Sequence, residues 1–362
     1  MNNFDDELAL RSPEIILSPG EAYSDNTRKF QGIPGIERAP NGRLWAVWYG
    51  GGEGEGEQNY VMLSTSIDDG ESWSGLRLVI DPPGPVRAFD PCLWYDPEGK
   101  LWLFWAQSNG WFDGRAGVWA ITTANATEQY PDWSEPRRLC NGVMMNKPMI
   151  LSDGEWLLPV AVWQRSNRID IPIAEKRSNV FVSPDKGHSL QFRGGAEIPE
   201  CTYSEHIVVE KSDGSLWMLV RTEYGIGESH SNDLGKTWSR GKPSGIPHPS
   251  ARFFIRRLNS GKLLLVKHGS MTEKTGRSQL TAYFSDDDGK SWSSGLLLDE
   301  REGVSYPDGV QSPDGVIYII YDFERRSAKQ ILMTTFTEAD LLHGKFISDK
   351  ARKQLIVNQA WG

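Results

Sequence analysis

A hairpin that recurs six times constrains this chain more than any other feature. Each copy reads as a strand, a tight turn closing on glycine, and a second apolar strand. The turn glycines fall at Gly42, Gly99, Gly154, Gly214, Gly261 and Gly315. Glycine suits such turns because it takes positive φ without a Cβ clash. The spacing is about 55 residues, enough for one four-stranded propeller blade with its loops. Six copies predict an all-β fold, a six-bladed β-propeller with residues 1–362 forming one domain. The run Glu14-Ile15-Ile16-Leu17-Ser18 is expected to pair into the last blade and close the ring, which removes edge strands.

A second motif interlocks with the hairpins. Ser66-Ile67-Asp68-Asp69-Gly70-Glu71-Ser72-Trp73 has the form S-x-D-x-G-x-x-W. It returns at Ser231 to Trp238 and at Ser285 to Trp292, with a worn copy at Ser183 to Leu190 and a remnant at Pro131-Asp132-Trp133-Ser134. The chemistry is that of a β-turn: Asp accepts backbone N–H bonds, Gly takes positive φ, and Trp packs between sheets. These Asp and Trp residues read as structural, which also accounts for the acidic runs Asp68-Asp69 and Asp286-Asp287-Asp288. Fifteen tryptophans fit blade cores and sugar-stacking faces alike.

Several function classes fall away on charge and patterning. A net charge of −9 argues against broad nucleic-acid binding, which needs a basic face. No apolar run is long enough to span a membrane. The acidic N-terminus lacks the apolar core of a secretory leader, and Cys92, Cys140 and Cys201 form neither a disulfide framework nor a zinc pattern. A cytoplasmic setting with no metal or cofactor is the expectation.

In a propeller the inner strand of each blade lines the central channel. The inner strands are expected to start at Ile33, Asp90, Lys147, Glu205, Arg252 and Tyr306, and all but Ile33 are polar or ionisable. Loops between the second and third strands converge on the same mouth. They carry Glu53, Glu55 and Glu57; Gln107, Trp111, Asp113 and Arg115; Gln164, Arg165 and Arg168; Arg221; His268 and Arg277; Asp322 and Arg325.

The boxes and hairpins together resemble the sialidase (neuraminidase) superfamily of BNR-repeat proteins. That resemblance implies an exo-acting glycosidase with a Tyr–Glu pair, three arginines and an acid. Tyr306, in Ser305-Tyr306-Pro307-Asp308, stands at the position of the family's nucleophile, and Glu205 at that of its partner base. Arg221 and Arg277 match two of the arginines. The third lies in a Tyr/Phe-Arg-Ile-Pro motif, and Phe30-Gln31-Gly32-Ile33-Pro34 places Gly32 in its slot. Glu57 is nearest the spacing of the family's general acid, with Asp90 as rival.

The reading that follows is hydrolysis of a terminal sugar, acidic sugars included, on an oligosaccharide or glycoside substrate. Tyr306, Glu205, Asp90 and Glu57 are the catalytic candidates. Arg221, Arg277, Arg252, Lys147, His206, Trp111, Arg115, Asp308 and Gln31 are the binding candidates. Two alternatives use the same pocket: β-elimination on a uronate, with Tyr306, Lys147 or His206 as base and Arg277 neutralising the carboxylate, and non-catalytic glycan binding.

Overall fold

The structure, a computed structural model, describes residues 7–163, 169 and 171–362. The candidates Gln164, Arg165 and Arg168 lie outside the described residues. Among the described residues six antiparallel sheets follow one another along the chain, and in five of them the first strand is the innermost, while the first sheet adds an earlier strand on its outer edge. Those inner strands are Phe30–Arg38, Val86–Tyr95, Met149–Ile150, Ile207–Glu210, Phe254–Arg257 and Val304–Gln311. Five sheets have four strands and the first has five. The six-bladed propeller is therefore as the hairpin period predicts.

Ring closure differs from the expectation. Ile15–Ile16 pairs with Leu78–Ile80 on the outer edge of blade one, not with blade six. Blade six takes its outer strand, Arg352–Gln359, from the C-terminal segment. A local strand already fills that edge, so no pairing position remains there for a distant one. Side chains join the first and last blades instead. Gln31 Nε2 donates to Lys329 O at 2.6 Å and to Asn358 Oδ1 at 3.0 Å, and Ile36 N–H donates to Asp308 Oδ2 at 2.9 Å.

The boxes form turns between the third and outer strands of their blades. In the first, Gly70 N–H donates to Ser66 Oγ at 3.0 Å, and Asp68 Oδ1 accepts from Ser72 N–H at 3.0 Å. The pattern repeats at Asp185, Asp233 and Asp287. Hydroxyl and amide donors from Ser189, Thr237 and Ser291 hold these three carboxyls down at about 2. The box glycine also meets the neighbouring blade. A Cβ on Gly187 would sit 2.6 Å from Trp102, and one on Gly289 would sit 2.5 Å from Trp217. Gly289 has φ +84°, so Gly289→Ala meets both backbone strain and overpacking. The expected loss is about 2–3 kcal/mol, read as a lowered urea midpoint at unchanged slope.

Candidate functional site

Four blades carry a residue in the left-handed region in or just before the inner strand: Ile33 (φ 55°), Asp90 (φ 47°), Glu205 (φ 40°) and Tyr306 (φ 53°). β-Bulges between Gly32 and Gly35, Phe89 and Cys92, and Ser305 and Asp308 accompany three of them. A bulge re-aims a side chain, and strain of this kind gathers at functional sites. Three of the four strained positions carry the ionisable candidates Asp90, Glu205 and Tyr306.

Those three residues come from blades two, four and six, and all are buried. Tyr306 Oη donates to Glu205 Oε1 at 3.3 Å and accepts from Arg221 Nη1 at 3.1 Å. The same Arg221 Nη1 bonds Glu205 Oε1 at 2.5 Å. Glu205 Oε2 is buried without a partner, an acceptor left open in the site. Burial and the Glu205 charge push the Tyr306 phenol up to about 12, against the pull of Arg221, Arg277 and Arg325. Burial pushes the Asp90 carboxyl up to about 8, with Arg87 opposing and Glu205 and Glu55 adding to the rise. At neutral pH Asp90 therefore holds a proton that it can give.

Arginines surround the tyrosine. The Arg277 guanidinium carbon lies 5.2 Å from the Tyr306 ring centre, and that of Arg325 lies 5.1 Å away. Arg325 was missing from the binding candidates. It follows the second strand of blade six, and its stem crosses the space that a side chain at position 32 would fill. A Cβ on Gly32 would come 2.7 Å from Arg325 Cγ and 2.8 Å from Asp322 Oδ2. The space beside Gly32 in blade one is thus filled by an arginine from blade six. Arg325 Nη1 pairs with Glu55 Oε1 at 3.0 Å. The available signal was two linked oddities, a glycine in an arginine slot and an unassigned arginine in the adjoining blade's loop.

The loop carboxylate that reaches this cluster is Glu55. Glu57 is exposed and lines a separate groove with Lys29, Tyr60 and Asp81. Trp111 joins an aromatic wall with Trp163 and Tyr203, and the Arg221 guanidinium carbon lies 5.0 Å from the Tyr203 ring centre. The Arg115 charge acts on Arg138 in blade two.

Other candidates are bound up in the framework. Lys147 Nζ bonds Glu37 at 3.3 Å, Asp308 at 3.2 Å and the Leu93 carbonyl at 2.8 Å. Arg252 bonds Asn146 Oδ1 at 2.8 Å, Pro34 O at 3.2 Å and Asp308 Oδ1 at 3.3 Å. Charges matched this way satisfy one another within the channel, so Lys147, Arg252 and Asp308 tie blades together. Gln31 is fully buried and spends its oxygen on Arg28 and Trp48. His206 is buried in the wall, with Nε2 at 2.7 Å from Asn179 O, and burial pushes its imidazole down to about 4. A cavity of about 610 Å³ opens at the far end of the channel near Gly214 and Gly261, with Lys147 in its wall. It is separate from the tyrosine cluster, where the ionisable groups converge. Among the described residues, no group of three or more His, Cys, Asp or Glu side chains could hold a metal ion, and no helix is long and apolar enough to cross a membrane.

The BNR repeat-like domain family matches residues 42–319. No curated protein matches the chain. Solved structures share the fold. The Hadza microbial sialidase Hz136 aligns with TM-score 0.65 at 19% identity over 81% of this chain, which spans 63% of that sialidase's length. A protein of unknown function from Dyadobacter fermentans gives 0.67 at 16% identity, over 90% of this chain and 98% of that one. The NanB sialidase from Streptococcus pneumoniae gives 0.63 at 12% identity, over 88% and 68%. At such identities the likeness speaks for fold alone.

Proposed function

The chain belongs to the BNR repeat-like domain family, a six-bladed propeller of the sialidase structural superfamily, and we propose that it is an exo-acting glycoside hydrolase. The observation that carries this reading is the hydrogen-bonded triangle of Tyr306, Glu205 and Arg221, with the buried Asp90 within electrostatic reach of Glu205. Tyr306 attacks the anomeric carbon as Glu205 takes its proton, which a phenol held near 12 cannot lose to water at neutral pH. Asp90 protonates the departing glycosidic oxygen. The result is a glycosyl-tyrosine, which water then hydrolyses with overall retention. Arg221, Arg277 and Arg325 favour a terminal sugar bearing an anionic group, and the wall of Trp111, Trp163 and Tyr203 takes its apolar face.

Both alternatives lose support. Of the bases that β-elimination drew on, Lys147 and His206 are committed elsewhere, leaving Tyr306, and a pure binding module has no use for a strained Asp90 whose carboxyl burial pushes up to about 8. The test is a panel of acidic and neutral glycosides, sialosides included, read for reducing ends and near-ultraviolet absorbance together. Reducing ends without absorbance are expected. Absorbance would indicate elimination, and silence across the panel would leave binding alone. On whichever glycoside is cleaved, kcat/KM should hold below about pH 8 and fall above it, because Asp90 acts as an acid only while protonated. Asp90→Asn should cost about 10²–10⁴-fold on alkyl glycosides and much less on aryl glycosides with good leaving groups. Equal losses on both would sink the acid role.

A further inference from the structure

Behind the arginines lie two buried histidines that the catalytic scheme does not use. His268 Nε2 is 2.9 Å from Val304 O, and His248 Nδ1 is 2.8 Å from Pro249 O. Their remaining ring nitrogens, His268 Nδ1 and His248 Nε2, face each other at 3.2 Å. A carbonyl only accepts, so each outer nitrogen must carry a hydrogen. Two neutral imidazoles have no other N–H to offer, and the facing nitrogens are then two opposed lone pairs. Three hydrogen bonds need three protons, and only a singly charged pair supplies them.

The chain of bonds ends at two informative places. Val304 lies two residues before Tyr306 on the same inner strand. Pro249 precedes Ser250, whose Oγ accepts from Arg221 Nε at 3.2 Å and whose carbonyl accepts from Arg277 Nη2 at 3.2 Å. The two histidines therefore link the strand of the tyrosine to the segment that holds two of its arginines. We propose that His248 and His268 are positioning residues, and that uptake of one shared proton completes this bridge and tightens the grip of the arginines on the substrate.

The groups facing the pair set its range. Lys267, donating to the carbonyls of His268, Gly269 and Ser270, acts on both rings, the Arg221 guanidinium acts on His248, and that of Arg277 acts on His268. The Phe253 ring packs edge-on against His248. Burial, Arg277 and Lys267 push His268 down to about 4, and burial, the His268 ring, Lys267 and Arg221 push His248 well down, so the bridge is open at neutral pH and closes in acid.

The inference rests on the glycosidase reading for its effect on substrate, but not for the proton itself. Histidine-labelled full-length protein followed by ¹⁵N NMR from about pH 7 to about pH 3 should show one proton taken up jointly by two coupled imidazoles. Two rings titrating independently, or both remaining neutral to about pH 3, would overturn the proposal. On the cleaved glycoside, KM should fall about five-fold toward acid in the wild type and stay flat in His268→Gln and His248→Gln, with the alkaline limb unmoved. A variant that folds and keeps the wild-type slope would also overturn it. A joint proton step with no glycoside cleaved counts against the proposed function and leaves the bridge standing.

Discussion

Tyr306→Phe is expected to lower kcat about 10³-fold or more while the ring stays folded and still binds its sugar. The substitution removes one oxygen. The aromatic ring keeps its place between Arg277 and Arg325, so the packing of the mouth is unchanged. Glu205 keeps its bond to Arg221, so no charge is stranded. What disappears is the atom that would form the covalent bond. The loss should therefore lie in kcat, with KM and the urea midpoint close to wild type. Pre-steady-state measurement with an activated aryl glycoside should show a burst in the wild type whenever hydrolysis of the glycosyl-tyrosine limits turnover. Turnover within a few-fold of wild type would remove Tyr306 from the chemistry.

The residues legible in the sequence were those defined by local pattern. Hairpin glycines and boxes depend on neighbours within a few positions, so they announce six blades without reference to the fold. Tyr306, Glu205 and Arg221 were legible because each sits at a fixed offset from such a landmark. Burial and partnership were not legible. A polar residue at the start of an inner strand can face ligand or another polar residue, and one letter does not tell which. Lys147 and Arg252 share Asp308 in one channel, and Glu37 supplies the second carboxylate. Gln31 bonds across the joint between the first and last blades. Glu55 and Glu57 differ by two positions in a glycine-rich loop, and only the loop's path decides which carboxylate reaches Arg325. The closing strand depended on a competition between two distant segments for one sheet edge.

The filling of the space beside Gly32 by Arg325 leads to the second large effect. Arg325→Gln removes a cation whose guanidinium lies beside the Tyr306 ring. For a substrate with an anionic group, kcat/KM should fall about 10²-fold, since a charge-assisted bond in a partly buried site contributes roughly 2–3 kcal/mol. For a neutral glycoside the loss should be small. Gly32→Arg alone should be worse than either change suggests, because the new side chain would enter space already held by the Arg325 stem and the Asp322 carboxylate. In an Arg325→Gly background that space is vacant, and Asp322 Oδ1, buried without a partner, is available to orient an incoming guanidinium. The double variant Gly32→Arg, Arg325→Gly should then recover part of the activity that Arg325→Gly loses, a strongly non-additive pair of the kind seen when two sites share one volume. Additive losses would show that the two positions do not present a cation to the same point, and the assignment of Arg325 to the anion grip would fail.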